Sequence, residues 1–582
     1  MEAAPRKIVR HSAPDDAAQR FPGLHPVLQR IFASRNLYSD NELCYELDKL
    51  LAPNQLLQID QAATLLARAI TANKRILIVA DFDADGATSC TLAIRALRMF
   101  GAKQVDYIVP NRFEYGYGLT PEIVAEALQR QPDLIITVDN GIASIDGVAA
   151  AKSADVDVLI TDHHLPGERL PAADAIVNPN SPGDQFPSKN LAGVGVIFYV
   201  MLALRARLRE QNWFGSQKLA EPNMAALLDL IALGTVADVV PLDHNNRILV
   251  HQGIRRINAG RCCEGIKALL KVAGKSCEAV TTSDLGFRVG PRLNAAGRLD
   301  DMSVGIECPL TDNPQTAMEL AEQLNALNME RREIEQSMKE QALADLESLA
   351  IDSSALPFGL CVFREEWHQG VIGILAARIR ERHHRPVIAF APADNGEIKG
   401  SARSIPGLHI RDTLDAIAKK EPQMLSKFGG HAMAAGLTLN GADLERFAQL
   451  FDKEVEQQLQ GQGLEQVIQS DGELTSEDIS YELARLIKSV SPWGQHFPEP
   501  LFDGGFRLVN WREVGQSHAK MILTPQDSTD QIDAIAFNQV AALQEERAAR
   551  TIHAAYRLDI NEYRGFSKVQ LIIEHFEVVD WG

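Results

Sequence analysis

The sequence predicts an α/β protein of several domains: a parallel-sheet domain, a long connecting helix, a second α/β domain and a C-terminal β-barrel (OB-like). Three observations carry this reading. Between residues 76 and 242, short β-rich runs alternate with amphipathic helical stretches, the pattern of βαβ units. From Asn313 the stretch NPQTAMELAEQLNALNMERREIEQSMKEQALADLESLA holds no helix breaker after its opening Pro314. Beyond Gly463, DGGFRLVNWREV, QIDAIAFN and HAAYRLDINEY read as strands joined by tight turns.

Taken in order, residues 1–60 read as a helical N-terminal segment. MEAAPRKIVRHSAPDDAAQRF lacks the apolar core of a signal peptide, and its acidic residues do not suit a transit sequence. The parallel-sheet domain is expected over 61–312. Its β-rich runs are ILIVA followed by Asp81, VDYIVP, LIITV followed by Asp139, and DVLIT followed by Asp162, His163 and His164. Ligands of doubly wound sheets bind outside the carboxyl ends of the strands, so these acidic and imidazole groups are expected to share one cleft. MAALLDLIALGTVADVVPL reads as a helix followed by a loop that returns Asp238 to that cleft. The apolar run 191–204 is too short for a membrane span and reads as a buried helix. No membrane association and a cytoplasmic location are therefore expected.

The connecting helix is expected over 313–350, with Ala317, Leu320, Leu324, Leu327, Ile334 and Met338 forming its apolar stripe. Arg331 interrupts that stripe and weakens a coiled-coil reading. Residues 351–462, with LCVF and PVIAF, form the second α/β domain, and 463–582 the barrel.

Composition narrows the function. A chain of 582 residues exceeds one ordinary core, and 46% hydrophobic with 23% charged residues is a globular balance. A net charge of -19 argues against coating nucleic acid by bulk positive charge, while leaving room for a local basic groove. The seven cysteines form no CxxC pair and no zinc-like spacing, which fits reduced thiols.

DFDADG packs Asp81, Asp83 and Asp85 into a turn after a strand, where Gly86 permits a tight bend. Carboxylates so crowded suit a hard divalent cation, although the same loop also reads as a solvated acidic turn or a helix cap. Asp139 in VDNG is ordinary turn chemistry by itself. Asp162, His163 and His164 add imidazole, which suits Mn2+ better than Mg2+. In the barrel, Phe506, Trp511, Tyr563 and Phe566 alternate with Arg507, Arg512, Lys520, Arg564 and Lys568. One such face would stack single-stranded bases, and half of these aromatics are expected in the core.

In order and context, DFDADG, VDNG, TDHH and ADVVPL resemble the DHH phosphoesterase family, named for its Asp-His-His triplet. GVIGILAARI, KGSARS and FGGHAMAAGL look like the DHH-associated domain of that family's exonuclease and oligoribonuclease branch. The resemblance implies two Mn2+ or Mg2+ ions held by Asp81, Asp83, Asp85, Asp139, His163 and Asp238. It gives catalytic roles to Asp83, Asp162 and His164, the last stabilising charge on the phosphoryl group. Arg112, Arg298, Ser401 and Arg403 are placed near a 5′-terminal phosphate, since guanidinium forks match phosphate. Gly429, Gly430 and His431 would grip the nucleotide backbone, and they also read as a tight packing turn with a structural His.

The implied activity is a metal-dependent 5′→3′ exonuclease on single-stranded DNA, releasing mononucleotides in DNA repair and recombination. Single-stranded-DNA-binding protein and a RecQ-type helicase are the implied partners of a monomer. The alternative is an oligoribonuclease or cyclic-dinucleotide phosphodiesterase of the same family, whose members usually lack the barrel. A silent replication scaffold would have lost metal carboxylates that are all present here. The pyrophosphatase branch begins its first motif with His, where this chain has Val79.

Overall fold

The computed structural model describes residues 6–12, 14–110, 118–353, 356–459, 466–490, 492–515, 517–540, 543, 551–563 and 566–579. The chain divides into two compact units, Arg10–Asn328 with Ser470–Gly582, and Met1–Val9 with Met329–Gln469. Its first element is a strand rather than a helix: β1 (Arg6–Arg10) pairs with a strand at Gln466–Ser470, a tertiary partnership that residues 1–60 alone do not announce.

In the larger unit, β2 (Ile76–Ala80), β3 (Val105–Ile108), β4 (Leu134–Val138), β5 (Asp157–Thr161) and β6 (Ala175–Val177) form a parallel sheet in the order β3-β2-β4-β5-β6. Every residue of β2 and β4 is buried, as expected of strands covered on both faces. Successive residues serve opposite cores: Ile76, Ile78 and Ala80 pack into one cluster, Leu77 and Val79 into another. The strand order reverses between β2 and β4, so the crevice at their carboxyl ends is the topological switch point.

Helices Ala84–Met99, Gly193–Glu210 and Leu228–Ala237 pack within the first of these clusters. The apolar run 191–204 lies largely in the second of these helices, and no helix among the described residues is long and apolar enough to cross a membrane. Helix Pro314–Ser353 starts as its cap residues suggest: Asn313 Oδ1 accepts from the amides of Gln315 and Thr316 at 2.9 and 3.2 Å. It passes from the larger unit into the smaller after Asn328.

In the smaller unit, β7 (Leu360–Phe363), β8 (Val387–Pro392), β9 (Glu397–Arg403), β10 (Leu425–Gly430) and β11 (Ala434–Asn440) form a sheet in the order β10-β11-β9-β8-β7, antiparallel except for β7 and β8. Arg331 is not left unpaired by interrupting the helix stripe. It meets Glu335 at 3.0 Å, and Glu335 also takes Arg378 at 3.0 Å. His383 and His384 end helix Ile372–His383, where His384 takes the left-handed cap conformation.

The strand at Gln466–Ser470, β12, leads back to the larger unit. There β13 (Phe502–Val514), β14 (His518–Pro525), β15 (Ile532–Ala536), β16 (Thr551–Tyr563) and β17 (Phe566–Val578) close a barrel in the order β13-β14-β15-β17-β16. Helix Pro26–Ser34 anchors the segment before the barrel, with Phe32 stacked on Trp493 and Phe497, and Arg35 bonded to Asp471 at 2.6 Å.

Candidate metal centre

Register brings the acidic groups together. Ala80 pairs with Val138, and Val138 with Thr161, so β2, β4 and β5 end at one level and Asp81, Asp139 and Asp162 leave it side by side. Each is held at the sheet edge by one more ladder bond: the amides of Asp81, Asp139 and Asp162 donate to the carbonyls of Val138, Thr161 and Val177 at 3.3, 3.0 and 3.2 Å. Asp139 sits at φ 62° and Val239, next to Asp238, at φ 61°, conformations that cost on the order of 1–3 kcal/mol each and cluster at functional sites.

Three sets of ligand atoms lie within 4.8 Å of one another: Asp81, Asp83 and Asp139; Asp85, His163 and Asp238; Asp139, His163 and His164. Asp83 is also the helix cap that its sequence allowed, its Oδ1 accepting from the amides of Asp85 and Gly86 at 2.9 and 3.0 Å. Asp85 is fully enclosed, and its carboxylate takes the first amides of helix Gly193–Glu210, Gly193 at 2.6 Å and Val194 at 3.0 Å. Burial, then the charge of Asp83, push the Asp85 carboxyl up to about 7. Asp139 and Asp238 are raised well above the carboxylate range by burial and by the neighbouring aspartates.

The two histidines are driven apart. Burial and the positive charge of His164 take His163 down to about 4, so it is a neutral imidazole at neutral pH. Burial also opposes charge on His164, but Asp162 Oδ1, 2.7 Å from its Nδ1, outweighs that and lifts it to about 9. Asp162 accepts further from the amides of Ile142, His163 and His164 at 2.9, 2.7 and 3.0 Å, so its carboxylate orients the triplet and the VDNG turn.

These residues fit a divalent cation. His163 Nε2 and Asp238 Oδ2 are enclosed and make no hydrogen bond although they lie 3.5 Å apart, and the carboxylates around them repel one another. A cation among them relieves both costs, and oxygens with one imidazole suit Mn2+ or Mg2+.

The sequence reading missed the groups that hold this cluster. Asn140 Nδ2 bridges the carbonyls of Val79 and Val138 at 3.1 and 2.9 Å. Asn178 and Asn180 hold the carbonyls of His164 and His163 at 2.9 and 2.6 Å. A Cβ on Gly193 would stand 2.6 Å from that of Asp139, and one on Gly234 2.8 Å from Asp85 Oδ1. The NPN and LAGVGV stretches were the available signals, yet Asn and Gly after a strand more often mean a turn.

Of the expected substrate contacts, Arg298 lies on helix Gly290–Leu299, one turn beyond Asn294, whose Oδ1 accepts from the Ala84 amide at 2.8 Å. Arg112 falls outside the described residues. In the smaller unit, Gly429, Gly436 and Ser401 share one row across β10, β11 and β9, with Gly430 and Arg403 alongside. Arg403 is lodged beside Ser401 at 3.1 Å, and His431 occupies the exposed turn between β10 and β11. In the barrel, Phe506 is a core residue packed edge-on against Tyr556, so it is no part of a stacking face. Phe566 is 75% exposed, and the side chains of Tyr563 and Arg564 fall outside the described residues.

Carboxylates and imidazole gathered at the switch point of a parallel sheet define the DHH class. The chain matches the DHH family, N-terminal domain, over residues 75–235, the DHHA1 domain over 357–457 and the RecJ OB domain over 470–575. It is 52% identical to the single-stranded-DNA-specific exonuclease RecJ of Escherichia coli (strain K12), over 97% of this chain and 98% of that one. Crystal structures of RecJ from Thermus thermophilus are also similar. The complex with Mn2+ gives a TM-score of 0.80 at 26% identity, covering 98% of this chain and 79% of that one. The complex with Mg2+ gives 0.75 at 25% identity, covering 98% and 78%. The chain belongs to the RecJ family of single-stranded-DNA-specific exonucleases.

Proposed function

We propose that this protein digests single-stranded DNA from its 5′ end, releasing 5′-mononucleotides by metal-dependent hydrolysis. The observation that carries the reading is the convergence of Asp81, Asp83, Asp85, Asp139, His163 and Asp238 at the switch point, in a chain whose full-length relatives bear the exonuclease name. These six residues would hold two Mn2+ or Mg2+ ions. Bound there, such ions polarise the scissile phosphate and lower the pKa of an attacking water.

The chain's own groups do the rest. Asp83 both offers a ligand oxygen and fixes the turn through the amides it caps. Asp162 acts through His164, holding that ring protonated so that it donates to a phosphoryl oxygen. Arg112, Arg298, Ser401 and Arg403 would bind the 5′-terminal phosphate, and Gly429, Gly430 and His431 would grip the nucleotide backbone. The barrel holds the strand behind the site, which favours long DNA over an oligoribonucleotide or cyclic dinucleotide.

The functional modules are 1–60, 61–312, 313–350, 351–462 and 463–582. The setting is cytoplasmic DNA repair and recombination by a monomer, alongside single-stranded-DNA-binding protein and a RecQ-type helicase.

Digestion of long single-stranded DNA labelled at either end, with Mn2+ or EDTA, tests the reading. Early release of the 5′ label as mononucleotide is expected from the wild type, abolished by EDTA and by Asp83→Ala. Metal-dependent loss of the 3′ label alone would overturn the polarity. Intact DNA with degraded oligoribonucleotides would transfer the site to the alternative substrate.

A further inference from the structure

On the reading of the acidic cluster as a metal centre, we propose that Asn246 is a positioning residue for it: Asn246 ties the segment that delivers Asp238 to the one that backs His163, and so sets the size of cation accepted there. Asn246 is wholly buried in the first turn of helix His244–Asn258. Its Nδ2 donates to two carbonyls outside that helix, Asn190 at 2.6 Å and Pro241 at 3.0 Å. Both amide hydrogens are thereby used, and turning the group over would set its oxygen against the two carbonyls. Its Oδ1 is enclosed with no hydrogen-bond partner, so the side chain is kept for what its nitrogen does.

Pro241 stands three residues after Asp238, and Asn190 three before Gly193, whose amide holds Asp85. The same two segments are joined again at Asp243. Its Oδ2 accepts from Ser188 Oγ at 2.7 Å and from Asn190 Nδ2 at 3.2 Å, and its Oδ1 from the Asn246 amide at 3.0 Å. The last of these is an ordinary helix cap, but the others cross from one segment to the other. Farther along, Asn180 Nδ2 donates to the carbonyls of Lys189 at 3.3 Å and His163 at 2.6 Å. A continuous path of main chain and amide bonds therefore runs from His163 through Asn180, residues 189–190 and Asn246 to Pro241 and Asp238. At its two ends His163 Nε2 and Asp238 Oδ2 face each other at 3.5 Å without a hydrogen bond.

Between Asp238 and Pro241, Val239 holds a left-handed φ of 61°, which a β-branched residue keeps only where its surroundings over-determine it. The clasp on the Pro241 carbonyl supplies that constraint. A span held this firmly favours a small cation. Mg2+ demands near-ideal geometry at about 2.0–2.1 Å, whereas Ca2+ accepts flexible sites at about 2.3–2.6 Å. Loosening the clasp should therefore weaken Mg2+ more than Ca2+.

The test titrates Mn2+, Mg2+ and Ca2+ into the metal-free full chain by calorimetry, at a temperature where circular dichroism shows each variant folded. Asn246→Leu removes both donors at similar volume, and Ser188→Ala with Asn190→Ala loosens the same joint from the Asp243 side. Tyr199→Phe is the control, since it removes the 2.9 Å bond to the neighbouring Asn245 and leaves the joint intact. The wild type should bind Mn2+ and prefer Mg2+ to Ca2+. Asn246→Leu should weaken Mn2+ binding at least about tenfold and cut the preference for Mg2+ over Ca2+ by about fivefold. The double variant should shift both in the same direction, and Tyr199→Phe neither. A wild type that binds no Mn2+ would overturn the metal centre and, with it, this role. Mn2+ binding by a wild type that does not prefer Mg2+, or a Mg2+-to-Ca2+ preference unchanged in both joint variants whatever their melting temperatures, would overturn the role of Asn246 alone. So would an equal shift in Tyr199→Phe.

Discussion

Gly193 shows how little room the metal centre leaves. Its amide holds Asp85, and the space of a side chain there is filled by Asp139. Gly193→Ala should cost about 1–3 kcal/mol of stability and weaken Mn2+ binding, measured by thermal melting and by calorimetric titration. A second residue-scale case is Asp503. Burial opposes its charge, but bonds from His553, Arg10 and Ser470 outweigh that and hold it well below the usual carboxylate range. His553 is correspondingly raised, chiefly by the Asp503 bond. The Asp503 contribution is present above the ordinary carboxylate value of about 4 and is lost as pH falls through its depressed one. The His553 contribution is full below about 6.5 and is lost as pH rises through its raised value. His553→Gln should therefore lower the melting temperature more at about pH 5.5 than at alkaline pH. An equal loss at both would show that the ring acts by packing alone.

At the scale of elements, the barrel separates core aromatics from exposed ones. Phe506 is buried against Tyr556, so Phe506→Ala should destabilise the larger unit by about 3–5 kcal/mol. Phe566 stands 75% exposed at the start of β17, so Phe566→Ala should leave the melting temperature unchanged and reduce single-strand affinity, by about 1–3 kcal/mol if it stacks on a base. Unchanged affinity would remove Phe566 from the strand path. Strands β2, β4 and β5 were legible as short apolar runs bounded by Asp, whereas β6, only three residues long, left no such signal. The long helix was legible from Asn313 and Pro314, whereas Arg331 looked like a fault in its stripe until Glu335, which also pairs with Arg378, supplied its partner.

For the molecule as a whole, a cluster of buried carboxylates stores repulsion that a bound cation releases. Saturating Mn2+, at about a hundred times its dissociation constant, should stabilise the folded chain by about 2.7 kcal/mol. Asp139→Asn should abolish that gain and, in EDTA, raise the melting temperature above the wild type's, because the cost of burying an ionisable carboxyl among other aspartates is gone. A variant less stable than wild type in EDTA would mean that the Asp139 carboxylate is needed by the fold itself.

By itself the sequence determined where the candidate ligands lie: acidic and imidazole residues stand at the ends of apolar runs, and chain order alone places them at carboxyl ends. It also determined that the C-terminal residues form strands, because alternation and turn residues are local signals, while closure of the barrel rests on the pairing of β15 with β17 and β13 with β16. Only the tertiary structure decided the rest. Strand order puts the switch point between β2 and β4, and register sets Asp81, Asp139 and Asp162 level. Neither quantity is written in any one segment, since each depends on which edges pair. The opposite protonation of His163 and His164 was likewise hidden, because neighbours in sequence share composition but not burial or partners. A pKa is fixed by what surrounds the group in space, and that exists only once the chain has folded.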